Sequence, residues 1–303
     1  MADLATDNPD EQAPLKGRSL WRDAFDRYMR NRASVVATAV LLVLVLFVII
    51  GPYFAAYTYD EIDWDVMGDV VGQGMPSLES GHYFGTDDLG RDLYIRSLEG
   101  ASTSLLVGLI GAAVALVVGT TYGAVAGYIG GKTDNFMMRN VDILMAIPAT
   151  LVIILLMVIF ERSFFMLFVG LGLTGWLTMS RVVRGQTLSL KNREFVEAAR
   201  AAGVGDAMII WRHILPNLLG VVIVYASLLV PEMILAESFI SFLGLGVQEP
   251  NTSLGRLIAD GAGTMAYGTL WQLLFPLAFF LIIIICMFFI GDGLRDALDP
   301  KDR

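Results

Sequence analysis

Six stretches of this chain run for eighteen residues or more without an Asp, Glu, Lys or Arg: 33–59, 100–131, 143–160, 163–180, 214–231 and 261–291. A helix rises about 1.5 Å per residue, so roughly eighteen to twenty residues cross about 30 Å of hydrocarbon. Lipid offers the backbone no hydrogen-bond partner, so such runs satisfy their own amides as helices. Strands of a membrane barrel would alternate apolar and polar residues, and these runs do not. The expectation is an all-α membrane protein with six transmembrane helices. Charged residues make up 17% of the chain, against about 25% in a soluble domain, and they gather between the runs.

Their placement predicts an orientation, because Lys and Arg in short loops mark the cytoplasmic side. Seventeen fall in the N-terminal tail, the loop after the second run, the segment after the fourth and the C-terminus; only Arg91, Arg96, Arg162 and Arg256 fall elsewhere. Both termini are therefore expected in the cytoplasm of a multi-pass inner-membrane protein. The chain divides into a tail at 1–32, a first span at 33–58, an outward loop at 59–100, a five-span core at 101–291 and a C-terminus at 292–303. A cytoplasmic loop at 185–217 interrupts the core. Ten acids lie within 60–99, so the net charge of −9 belongs mainly to one loop and points to no basic partner or nucleic acid. The first run is too long for a signal-peptide core and reads as an uncleaved span.

Ahead of it, Trp21, Phe25, Tyr28 and Met29 recur at helical spacing among charges, as in a helix lying at the lipid headgroups with Ser19 as N-cap. Gly111, Ala115, Gly119, Gly123 and Gly127 put a small residue every fourth position of the second span, the pattern that lets helices pack closely. Pro148, Pro231 and Pro276 predict kinks. Kinks suit a bundle that rocks and also occur in rigid ones. The lone Cys286 forms no intrachain disulfide and reads as packing.

Catalytic chemistry finds little support. The segment "AGYIGGKT", 126–133, resembles a nucleotide loop, but it follows a membrane helix instead of a strand, so Lys132 is read as a topology charge. His82 and His213 are expected on opposite faces of the membrane and so share no metal. No Ser/His/Asp or Cys/His arrangement suggests itself. Asp142 is expected to pair with Arg139 at i, i+3.

The stretch "EFVEAARAAG", 194–203, is a different matter. Its Ala, Glu and Arg favour a helix, and Gly203 sits where a left-handed cap closes one. Phe195, Ala198, Ala199 and Ala202 share one shallow apolar face, ringed by Glu194, Glu197 and Arg200. A helix this short is marginal alone, so something must hold it. Asp206 is the expected N-cap of the next element, and Pro216 fits the first turn of the fifth span. Glu232 and Glu237 fall near that span's far end, where they line an outer gate or meet a partner helix. Gly244 and Gly246 permit a tight turn or a re-entrant dip. Phe239 and Phe242 there either line a passage or anchor the turn in the interface.

The order Glu-Ala-Ala from Glu197, then Gly203, then Ile-Leu-Pro at 214–216 resembles the EAA loop of bacterial ABC importer permeases. Further segments, "HYFGTDDLGRD" at 82–92, "RNVDILMAIP" at 139–148, "ESFISFLGLGVQEP" at 237–250 and "GDGLRDALDPKDR" at 291–303, resemble the peptide/nickel branch, with the greatest likeness to OppC-type oligopeptide permeases. That resemblance implies a type I-like permease bundle with no catalytic, metal or cofactor site of its own. It implies a heterodimer with a homologous permease, two ATPase subunits that bind ATP and Mg, and a periplasmic or lipid-anchored binding protein that delivers peptide. It makes 194–203 a coupling helix seated on an ATPase subunit, with Gly205 a second flexible point. Dipeptides, nickel or another small solute remain open as cargo. A proton-coupled secondary transporter, the rival class, predicts mid-span acidic relays and inverted repeats, which are not evident; a non-transporting scaffold leaves the charged loop unexplained.

Overall fold

A computed structural model describes residues 20–160 and 162–298. Ser19 lies outside the described residues, as do Lys16, Arg18, Lys301 and Arg303. Helix α1 (Leu20–Arg30) leads into α2 (Arg32–Ile50), capped by the Asn31 side chain on the Ser34 amide. A loop with two one-turn helices, α3 (Trp64–Met67) and α4 (Val70–Gln73), precedes α5 (Leu93–Ile129). Then come α6 (Gly131–Met145), α7 (Ala149–Ile159), α8 (Phe164–Leu190), α9 (Glu194–Ala201) and α10 (Asp206–Ile209). A π-helical turn at Ile210–Ile214 joins α10 to α11 (Leu215–Phe242), which is followed by α12 (Leu254–Thr264) and α13 (Trp271–Leu298). No strand longer than an isolated bridge occurs among the described residues.

Among the described residues, five helical stretches are long and apolar enough to cross a membrane, or six if the bent pair of α6 and α7 counts as one span. The third expected span departs from a single helix. Its run from 143 to 160 is divided between α6 and α7, which meet at 75°. Pro148 is the cause: it has no amide for the Leu144 carbonyl, clashes with it, and drives Ile147 out of helical geometry. Helix α7 spans only 11 residues, about half the hydrocarbon thickness. Pro231 and Pro276 behave differently. Both are buried inside continuous helices, where neighbouring helices support the chain across the missing bond.

The small-residue stripe of α5 is the centre of the packing. A methyl group added at Gly123 would sit 2.3 Å from the Ser180 carbonyl oxygen of α8. Gly119 and Gly127 meet the same helix, and Gly111 faces Met233 of α11. The helix axes can approach this closely only because no side chain intervenes. Residues 126–133 are the last turn of α5, a turn at Gly130 and Gly131 with φ of 72° and 57°, and the first turn of α6. Helix α6 is tied to α8 through Arg184, which donates to both carboxylate oxygens of Asp134. Asp142 pairs with Arg181 of α8, not with Arg139 as spacing suggested, and so makes a second ion pair between α6 and α8 beside that of Asp134 with Arg184.

Candidate functional site

Helix α9 is two turns long and closes as its sequence predicts. Gly203 has φ +78°; its amide donates to the Arg200 carbonyl, and the Val204 amide to that of Ala199. These paired bonds satisfy the orphan carbonyls of the last turn. The apolar face is divided, however. Val196 and Ala199 are buried against the bundle, whereas Phe195, Ala198 and Ala202 are exposed along with Glu194, Glu197 and Arg200. Ala199 therefore does not belong to the open face. The missed residue was Val196, three positions away on the inner side.

Three contacts tie α9 and the segments on either side of it to the spans. The Tyr128 hydroxyl, at the end of α5, donates to Asp206 Oδ1 at 2.9 Å. The Arg200 guanidinium lies 5.7 Å from the Tyr128 ring centre and 3.5 Å from its hydroxyl. Lys191 Nζ, at the end of α8, donates to the Gly127 carbonyl at 3.0 Å. Asp206 is thus not an N-cap. Gly205 holds that position, and the Asp206 carboxylate is occupied by tyrosine. Tyr128 was hidden in the nucleotide-like segment; an aromatic at the water end of a span was the available signal. Pro216 is the second residue of α11 and follows the π turn. Widening that turn accommodates a ring that would otherwise strike the Arg212 carbonyl, so 206–242 runs on as one path.

At the far half of α11, Glu232, Phe239 and Phe242 are exposed and recur at helical spacing on one stripe. Glu237 does not join them. It is fully buried and accepts hydrogen bonds from Ser241 at 2.7 Å, Ser104 at 3.0 Å and Ser238 at 3.1 Å. Ser104 and Ser241 in turn accept the Leu254 and Val247 amides. Glu237 therefore lines no passage in this conformation; it knits α5, α11 and the following loop together, and its lone pairs are met from within. Gly244, with φ +74°, ends α11 with a second capped turn through the Leu245 amide on the Ile240 carbonyl. Gly246 is buried with its backbone against Ser241, so the chain turns tightly here.

The opposite end is built from charge. Arg91 Nε lies 2.8 Å and Arg96 Nε 3.2 Å from Asp87 Oδ2, and Arg91 reaches Glu249 at 3.1 Å. Arg96, wholly buried, also donates to the Tyr59 carbonyl. His82 stacks on Tyr57 at 4.1 Å and lies between Asp92 at 2.9 Å and Asp63 at 3.4 Å. Burial lifts the Asp92 carboxyl above its ordinary value, outweighing the Ile95 amide and His82. The hydrogen bond from Arg91 holds Glu249 below its own. Read only as charges marking a side, Arg91 and Arg96 gave no sign that they are interior. Among the described residues no group of three or more His, Cys, Asp or Glu is placed to hold a metal ion.

Residues 119–303 match the family model described as "Binding-protein-dependent transport system inner membrane component". Residues 19–70 match the "N-terminal TM domain of oligopeptide transport permease C". The oligopeptide transport system permease protein OppC of Escherichia coli K12 is 53% identical over 98% of this chain and 96% of its own. The Bacillus subtilis OppC is 39% identical over 97% and 93%. The Bacillus subtilis dipeptide transport system permease protein DppC is 41% identical over 94% and 87%. A two-turn helix clamped to the ends of several spans, a helical bundle and full-length similarity to transport permeases converge on one assignment. This chain belongs to the family of binding-protein-dependent transport system inner membrane components, as a multi-pass, non-enzymatic permease subunit.

Proposed function

We propose that the chain is the permease subunit of an ATP-driven importer that moves oligopeptides across the inner membrane, with α9 as the helix through which ATPase subunits drive it. On this reading the Lys- and Arg-rich side is cytoplasmic, both termini lie there, and the 59–100 loop faces a binding protein outside. A homologous permease completes the passage, and two ATPase subunits bind ATP and Mg. The observation that carries the reading is the exposed face of α9, Phe195, Ala198 and Ala202, on a helix held from behind by Tyr128. Shallow apolar side chains admit a partner's backbone, and Glu194, Glu197 and Arg200 border the contact.

The anchors make α9 a lever. Tyr128 links it to α5, Lys191 ties the adjoining end of α8 to α5, and α10 continues into α11. Closure of the ATPase pair on ATP shifts α9 and with it the ends of three packed spans. Reversing a 1:99 balance of two arrangements needs about 5.5 kcal/mol of differential stabilisation, which ATP binding supplies. The exposed stripe Glu232, Phe239 and Phe242 and the open break at Pro148 are the surfaces offered to the passage and to the second permease, since irregular backbone at membrane depth must be covered by protein or line a cavity.

The test uses the assembled complex in proteoliposomes with Ala198→Asp and Ala202→Asp. Desolvating an unpaired carboxylate at the contact is expected to lower peptide uptake about tenfold or more, with the bundle still inserted. Full peptide-stimulated ATPase and uptake in both variants would overturn the assignment. Dipeptide import is the second reading, favoured by 41% identity to the Bacillus subtilis dipeptide permease beside 39% to its oligopeptide counterpart. ATPase stimulation by binding protein loaded with peptides of defined length separates the two.

A further inference from the structure

Helix α1 is fixed to the bundle. Ala24 is buried, the Tyr28 hydroxyl and Thr38 Oγ1 share a 2.6 Å hydrogen bond, and the Ser34 hydroxyl donates to the Phe289 carbonyl at 2.9 Å. These contacts leave a groove of about 320 Å³ between α1, α11 and α13. Its walls are Trp21, Phe25 and Tyr28 from α1, Ile223 from α11, and Leu294 and Leu298 from α13. Such a lining takes an alkyl chain and offers almost nothing to a polar ligand. The rim stays open: Trp21 is 53% and Phe25 61% exposed.

The polar border of α1 is cationic. Arg22, Arg27, Arg30 and Arg32 stand against only Asp23 and Asp26 between residues 20 and 32. None of the four guanidiniums has an ion-pair partner among the described residues. Arg27 Nε is buried without a hydrogen-bond partner. Arg27 and Arg30, three residues apart, are neighbours on one side of the helix. An unpaired cationic face on the same helix that walls an alkyl-lined groove is complementary to a molecule with an anionic head and a hydrocarbon tail.

We propose that this groove is a binding site for an anionic phospholipid, its phosphate on Arg27 and Arg30 and an acyl chain against Trp21, Phe25 and Leu294. The lipid fills the space between α1 and the packed spans α11 and α13. The site is independent of which solute the importer carries.

The experiment uses the full chain purified in a non-ionic detergent, with dioleoylphosphatidylglycerol or dioleoylphosphatidylcholine added. Bound lipid is counted by native mass spectrometry, and unfolding temperature is followed in parallel, because a ligand of the folded state raises it. Wild type is expected to retain phosphatidylglycerol and to be stabilised by it, and not by phosphatidylcholine. Arg27→Gln/Arg30→Gln is expected to weaken retention about tenfold or more, the consequence of removing two basic residues from an anionic lipid. Trp21→Gln/Phe25→Gln weakens it by removing the alkyl wall. Equal retention of the two lipids by wild type overturns the proposal. So does loss in the arginine pair alone, which signals diffuse surface charge without the groove. Should a paired variant unfold, Arg30→Gln and Phe25→Gln, both at exposed positions, carry the same two tests.

Discussion

The two ends of the bundle use charge in opposite ways. At the end bearing the 59–92 loop, Asp87, Arg91, Arg96, Asp92 and His82 are buried and answer one another. At the α9 end, Glu194, Glu197 and Arg200 stay exposed, and the helix is held from behind by Tyr128 and by the small buried side chains of Val196 and Ala199. Buried charges paired with one another fix a backbone, because any displacement strands an ion in a poor solvent. A helix held by a cap and a few hydrogen bonds keeps its shape while remaining free to shift as a unit. One end is locked by its buried charges; the other is the end that the proposed coupling would move.

Asp87→Ala tests the first half of that contrast and carries the largest expected effect. It leaves Arg91 and Arg96 buried without their shared carboxylate, a loss of about 3–5 kcal/mol, read as a lowered unfolding temperature of the purified protein. A neutral outcome would mean that the cluster is not what fixes this end. Ala199→Asp and Ala198→Asp test the divided face of α9. Ala199 is buried, so its carboxylate undocks the helix, at a local cost of about 1–3 kcal/mol, seen as faster amide exchange across α9. Ala198 is exposed, and its variant alone should change stability by no more than about 0.5 kcal/mol. Equal exchange in the two variants would erase the distinction between inner and outer faces.

Tyr128→Phe removes one hydroxyl and its bond to Asp206, about 1 kcal/mol. Exchange in α9 and α10 should quicken while the global unfolding temperature scarcely moves; a global loss would make Tyr128 part of the core instead of a clamp. Glu249→Gln is expected to do least. Arg91 holds the Glu249 carboxyl below its ordinary value, so the pair stabilises fully above the unfolded carboxylate range, about pH 4.3, and is lost as pH falls through the folded value. The side chain is 48% exposed, so the contribution is under about 1 kcal/mol. Wild type and variant should differ near pH 7 and converge toward pH 3 in thermal unfolding; parallel curves would remove the ion pair from the account.

Much of α9 was readable because its determinants are local. Gly203 is needed where φ is positive, and the Ala-rich run has helical preference whatever surrounds it. The setting of Glu237 was not readable for the opposite reason: its serine donors come partly from α5, 133 residues away in sequence, and no local pattern places them. The fifth span was longer than its uncharged run suggested, since Glu232 and Glu237 are carried inside α11. Asp142 found Arg181 on α8, 39 residues away in sequence, a partner that local spacing does not name.

What the amino-acid order determined by itself was the number and rough position of apolar runs, the glycine stripe of α5 and the capped helix at 194–203. Each follows from covalent geometry and the cost of unpaired backbone in hydrocarbon, which act over a few turns. Only the tertiary structure decided which face of α9 is open, how sharply the third span turns at Pro148, and which charges are interior. Those outcomes depend on how distant helices pack, and a side chain's solvent is set by neighbours the local sequence does not name.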